Sequence, residues 1–239
     1  MKPIWKRVHL GGVALVLLLA TVVWAGSIRS AGADDAQDAQ QLVDKARLTV
    51  EAFLADTQTG PALKALLKKA KAVLIYPQVL RGAFIVGVSG GSGTLVAYDA
   101  TAKKWGGPAF CTIGEASFGL QAGGDAAEIV LVALTDRGMT ALLATSAKLG
   151  VDTGVAVGPV GVGAEAATAN LSADLVSYSR AKGLYAGASF EGAVVATRGS
   201  LNKAYYGKEV SPTDILVKRT VSNAKASSLL GTVSKAAGK

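Results

Sequence analysis

Between residues 82 and 207 the chain carries 22 glycines in 126 residues, roughly a sixth, where about 7% is usual. Glycine loses the most backbone freedom on ordering and offers no side chain to pack, so it weakens helix and strand alike. Yet from residue 72 onward short β-rich runs recur: Val73-Leu-Ile-Tyr76, Ala83-Phe-Ile-Val86, Thr94-Leu-Val-Ala-Tyr98, Ile129-Val-Leu-Val132 and Val155-Ala-Val157. Gly, Asp and Pro separate them. Glycine at this density inside strands belongs to bulges, sharp bends and close backbone approach. The pattern therefore predicts a mainly antiparallel, strongly curved sheet or small barrel, interrupted by one helix over residues 137–149.

Helical periodicity flanks this region. Over residues 37–56, Leu42, Val43, Ala46, Val50, Phe53 and Leu54 recur at spacings of three and four, which puts them on one helix face. Thr59-Gly60-Pro61 then breaks the chain, and Pro61 suits the first turn of a second amphipathic helix running to about residue 70. Its apolar side is Leu63, Leu66, Leu67 and Ala70, while Lys64, Lys68 and Lys71 fall within roughly 60° of one another at about 100° per residue. That lysine stripe reads either as a solvated face or as a membrane-facing strip. After the sheet, Ser211-Pro212-Thr213-Asp214 has the form of a helix start, with Ser211 as N-cap. The expected class is α+β: N-terminal amphipathic helices (34–71), a Gly-rich β-rich domain ending in a helix (72–219), and a basic, weakly amphipathic tail (220–239).

Residues 1–33 read as an export signal. Lys2, Lys6 and Arg7 precede 19 uncharged residues, and Ala31-Gly32-Ala33 matches a small-residue cleavage site, with a cut after Ala25 as the alternative. An uncleaved anchor is the competing reading, since 19 residues approach the length that spans a bilayer. Either way the expected location is the periplasm or cell envelope. Cleavage after Ala33 lowers the net charge from +8 to +4, and residues 198–239 hold 8 basic residues against 2 acidic ones. Such a localised positive surface suits an anionic partner such as lipid headgroups, and export argues against nucleic acid.

The residue inventory removes most chemistry. With one Cys (Cys111) and one His (His9, inside the signal), the chain lacks the clusters that zinc sites and catalytic triads require. No catalytic residue, metal site or cofactor is expected. Gly87-Val-Ser-Gly-Gly91 spells a nucleophile elbow, but β-rich sequence rather than a helix follows Ser89 and no base is available; a Gly-rich turn between strands explains the letters. Gly161-Val-Gly-Ala-Glu-Ala166 lacks the α/β alternation of a dinucleotide loop. Asp34, Asp35 and Asp38 read as a solvated acidic end, and Cys111, between apolar neighbours, as a buried thiol.

An ordered series of segments resembles the SYLF domain family. It comprises Ala70-Lys-Ala-Val-Leu-Ile-Tyr-Pro77, the loop Gly90-Gly-Ser-Gly-Thr-Leu95, Trp105-Gly-Gly-Pro-Ala-Phe110 and Gly119-Leu-Gln-Ala-Gly123. The longest segment is Ser177-Tyr-Ser-Arg-Ala-Lys-Gly-Leu-Tyr-Ala-Gly-Ala-Ser-Phe-Glu-Gly192, followed by Asn202-Lys-Ala-Tyr-Tyr-Gly207 and Asp214-Ile-Leu216. Phe190 stands where the family commonly has leucine, and Glu128 where aspartate is frequent. The resemblance implies a non-catalytic domain that binds acidic phospholipids. Actin binding, attributed to some eukaryotic members, has no place in an exported chain.

Read from the residues alone, Tyr178, Arg180 and Lys182 alternate and would share one strand face, two cations beside an aromatic ring. They suit an anionic headgroup, or equally a hairpin closing at Gly183 in which Arg180 and Lys182 pair with Glu191. The candidate lipid-binding residues are therefore Lys64, Lys68, Lys71, Arg180 and Lys182. Two functions stand: an envelope domain contacting an anionic phospholipid membrane surface, or a structural envelope protein that docks another protein while its lysines keep it soluble.

Overall fold

A computed structural model describes residues 31–83, 86–118, 123–159, 173–181, 184–186 and 192–239. The expected signal, apart from residues 31–33, and the Gly161 motif lie outside them. Helices α1 (Ala31–Ala55) and α2 (Gly60–Lys69) precede strands β1 (Ala72–Ala83), β2 (Val86–Asp99), β3 (Lys104–Phe118) and β4 (Gly123–Ala133). Helix α3 (Asp136–Leu143) follows, then β5 (Ser146–Lys148), β6 (Val155–Val157), β7 (Leu175–Ala181), β8 (Leu184–Ala186) and β9 (Val194–Thr197). Helices α4 (Gly199–Tyr206), α5 (Pro212–Leu216) and α6 (Ser227–Ala237) complete the chain.

The strands form one sheet in the order β5-β9-β3-β2-β1-β4-β7-β6, with β8 paired to β7. Among the described residues β6 pairs with β7 in parallel and every other pairing is antiparallel. The sheet curls into a half-barrel with two short edge strands. Both faces are buried over residues 72–76 of β1, 93–97 of β2, 108–111 of β3, 129–133 of β4 and 175–179 of β7, which is why these stretches read as continuous apolar runs rather than alternating ones. Val73 and Ile75 of β1 face a layer built from Phe53, Leu63, Leu66, Leu201 and Leu229 of α1, α2, α4 and α6. Leu74 and Tyr76 face the opposite side, closed by Leu142, Leu149, Ile215 and Leu216.

The strand glycines serve a kink in β1. Its register shifts against both neighbours between Ile75 and Val79, around Pro77, which has no N–H to give to a ladder. β2 approaches this bulge so closely that a Cβ on Gly91 would lie 2.2 Å from the Gln78 carbonyl oxygen, and one on Gly93 2.5 Å from the Tyr76 ring. The stretch Gly87–Gly91, expected as a turn, and the Gly90–Leu95 segment expected as a loop are instead the interior of β2. Ser89 pairs with Arg81 on one side and Glu115 on the other, so no strand-to-helix elbow exists there.

The amphipathic prediction for α1 holds, with Ala39, Val43, Ala46, Val50 and Phe53 all buried. The helix expected over residues 137–149 stops at Leu143. Ala144 turns extended, and Ser146–Lys148 pairs with β9, whose edge would otherwise lie open. At α5 the Ser211 hydroxyl accepts from the Asp214 N–H while the Asp214 carboxylate accepts from the Ser211 N–H, completing a capping box. Residues 227–237 of the basic tail form α6, whose Leu229, Val233 and Ala237 are buried against the layer containing α1 and α2.

Candidate functional site

α2 buries Leu63, Leu66 and Leu67 and leaves Lys64, Lys68 and Lys69 exposed. Lys71, the third member of the predicted stripe, lies beyond the helix. Ala70 takes the C-cap position in an extended conformation, and the Lys71 ammonium sits 2.7 Å from Asp136 at the start of α3. The helical projection fails because it continues a 100° rotation past the residue where the helix ends.

Tertiary structure supplies other cations at the same place. The Tyr98 N–H donates to the Lys71 carbonyl at 2.8 Å, which brings the β2–β3 turn, with exposed Lys103 and Lys104, beside the end of α2. α6 packs against α2, and beyond its end the Lys239 ammonium donates to the Ala70 carbonyl at 3.1 Å. Among the described residues Lys64, Lys68, Lys69, Lys103, Lys104 and Lys235 have no carboxylate within 4 Å, whereas Asp99 at this corner is paired with Arg219 at 3.3 Å. Backbone N–H groups of Ala102 and Thr101 and the nearby Arg219 hold the Asp99 carboxyl below its ordinary pKa. Lys104, opposite Asp99 in the ladder, contributes to that shift, while Lys64, Lys68 and Lys69 of α2 and Lys103 of the turn are exposed without a close carboxylate and make this corner locally positive.

Arg180 sits elsewhere. In register with Glu128 of β4, its Nε and Nη2 both donate to the Glu128 carboxylate, which also accepts from the Thr49 hydroxyl of α1 at 3.2 Å. Glu128 lies on β4, on the side of β7 opposite the predicted hairpin; the expected pairing of Arg180 and Lys182 with Glu191 falls on residues outside the described ones. The hairpin itself forms, with Ala181 paired to Leu184. Tyr178 is fully buried among the helices, against Gly158, rather than offering its ring beside Arg180 at the surface. A cleft of about 450 Å³ adjoins the ion pair, lined also by Lys45, Leu48 and Pro77. Cys111 is buried, and desolvation pushes its thiol up to about 12, which makes it inert at neutral pH. Among the described residues no three His, Cys, Asp or Glu side chains gather as metal ligands, and no helix is long and apolar enough to cross a membrane.

A family model described as Ysc84, Las17-binding protein actin regulator, matches residues 114–236, which run from β3 to α6. The chain belongs to the Ysc84 family. This is the family whose SYLF domain the motifs resemble. The chain is similar to SH3 domain-containing YSC84-like protein 1 of Homo sapiens, 32% identical over 165 residues, covering 68% of this chain and 48% of that protein. Protein YSC84 of Saccharomyces cerevisiae is 32% identical over 160 residues, 64% of this chain and 33% of that protein. LAS seventeen-binding protein 3 of the same species is 31% identical over 159 residues, 64% and 34%. The chain thus spans about half the length of the human relative and about a third of the yeast ones. The Ysc84 description is that of a binding protein rather than an enzyme, in keeping with a chain whose Ser89 is a mid-strand residue.

Proposed function

We propose that this chain is a non-catalytic lipid-binding domain that associates with anionic phospholipid surfaces of the cell envelope, through the basic corner where α2, the β2–β3 turn and α6 meet. The observation that carries this reading is that exposed Lys64, Lys68 and Lys69 of α2 and Lys103 of the adjoining β2–β3 turn have no carboxylate within 4 Å among the described residues. A lysine near an anionic membrane contributes about 1 kcal/mol, so three of them change partitioning by roughly two orders of magnitude. Co-sedimentation with anionic and with purely zwitterionic vesicles, at low and high salt, tests it. Binding should require anionic lipid, weaken with salt, and largely disappear when Lys64, Lys68 and Lys69 are all replaced by Gln. Undiminished vesicle binding by that variant would remove the corner from the site. Export to the envelope is read from residues 1–33, and mass spectrometry of the N-terminus from an envelope fraction checks it.

A second reading draws on the family's description as Las17-binding actin regulators. In it the domain docks a protein partner and the lysines only maintain solubility. It predicts no salt-sensitive binding to anionic vesicles at all.

A further inference from the structure

Lys239 departs from the other lysines of the corner by turning its ammonium onto aromatic rings. Its Nζ lies 4.0 Å from the centroid of the Tyr98 ring and 5.7 Å from that of Trp105, and donates to the Ala70 carbonyl at 3.1 Å. The two rings belong to a cross-strand pair of the β2–β3 hairpin, 5.6 Å apart at centroids and tilted by 54°. Trp105 is only 5% exposed, so its wall is fixed by packing. The main chain of Lys239 is held as well. Gly238 adopts a left-handed turn at φ 65°, the Lys239 N–H donates to the Ser234 carbonyl at 3.2 Å, and the Ser234 hydroxyl donates to the main-chain oxygen of Lys239. Partial burial lowers the ammonium's pKa, as expected for a cation withdrawn from water.

The arrangement selects its occupant chemically. Aromatic faces attract a cation through the ring quadrupole. The carbonyl adds a requirement for an N–H, which a primary ammonium has and a quaternary one lacks. Exposed Lys69 adjoins Ala70 in the chain and has no carboxylate within 4 Å among the described residues, whereas the Lys71 ammonium is taken by Asp136. We propose that Tyr98, Trp105 and the Ala70 carbonyl form a binding site for a primary alkylammonium group, filled within the chain by Lys239 and open to a free alkylamine or the ethanolamine headgroup of a membrane lipid when Lys239 is withdrawn. The lipid source rests on the membrane reading above; the ammonium site does not.

Chemical rescue of the full chain tests it. Lys239→Ala should lower the unfolding midpoint by about 2–4 °C. Propylammonium chloride, which restores the deleted atoms, should raise it back in a saturable manner and shift the Trp105 indole N–H resonance. Equal concentrations of tetramethylammonium or sodium chloride should do neither, and Lys239→Met, which fills the space without charge, should not respond to propylammonium. An indole resonance that ignores propylammonium, or responds equally to tetramethylammonium, would overturn the proposal. For the source, vesicles of constant anionic content containing phosphatidylethanolamine or phosphatidylcholine are compared. A gain on ethanolamine vesicles by Lys239→Ala supports the headgroup, and rescue by free amine without that gain assigns the site to soluble amines. Failure of both proteins to bind anionic vesicles would sink the membrane reading while leaving the rescue result intact.

Discussion

Replacing Arg180 by Gln removes a guanidinium that makes two donor contacts to Glu128 and sits between β7 and β4 beneath the edge of α1. The two side chains are 27% and 24% exposed, so about three quarters of each is shielded from solvent. Exposed ion pairs contribute about 0–1 kcal/mol, whereas hydrogen bonds to charged groups contribute about 1.5–3. Partial burial and the third contact from Thr49 place this pair near the lower end of the second range. Arg180→Gln should therefore destabilise by about 2 kcal/mol, a fall of about 4–8 °C in Tm for a domain of this size. Glu128→Gln should cost a similar amount, and the double variant should fall short of the sum by about 1 kcal/mol. Thermal unfolding of the four proteins followed by circular dichroism measures the cycle, with anionic-vesicle binding measured in parallel. If the two losses add within about 0.5 kcal/mol, the brace is absent. If Arg180→Gln keeps its Tm but loses vesicle binding tenfold, Arg180 is a headgroup ligand and the pair a minor feature of the fold.

Three further outcomes follow from local geometry. Gly93→Ala would place a Cβ 2.5 Å from both the Ile75 carbonyl oxygen and the Tyr76 ring, so urea unfolding should show a loss of at least about 1–3 kcal/mol; an unchanged midpoint would mean that β2 does not press on the β1 bulge. Asp174 accepts from the Thr135 hydroxyl at 2.5 Å and from the Gly154 N–H at 3.0 Å, and these bonds, with Arg137 nearby, hold its carboxyl below the usual 3.8. Because the folded value is the lower one, its stabilisation is complete above about pH 4 to 5 and is lost as pH falls through the depressed value. Asp174→Asn should flatten the acid limb of a stability–pH curve, and an unaltered limb would contradict this. Cys111 should react with a thiol reagent only after unfolding, given its burial and a pKa of about 12; modification of the native protein at neutral pH would count against the packing described.

Ysc84 membership was legible in the order of the motifs, and several elements followed from spacing alone. Local rules suffice for α1, whose buried residues repeat every three or four positions, and for the α5 capping box, because helix periodicity and capping involve residues within a few positions of one another. The density of glycine likewise announced a curved, bulged sheet. What glycine does at each place was beyond the local pattern: Gly87–Gly91 reads as a turn, and is strand interior because it pairs with β1 on one side and β3 on the other, with Gly91 pressed against the β1 bulge.

The candidate site divides in the same way. Lys64 and Lys68 share an exposed helix face by periodicity, but Lys71 was assigned to it by extending a rotation that the extended Ala70 ends. Lys104 lies 33 positions beyond Lys71 and Lys239 another 135, and no propensity or spacing rule relates residues so far apart. Strand register sets Tyr98 opposite Trp105, and the packing of α6 sets Lys239 over both rings and onto the Ala70 carbonyl. The pairing of Arg180 with Glu128 has the same origin. A strand of alternating residues presents a cation to either neighbour equally well, and only the sheet order, with β4 beside β7, brings Glu128 to it.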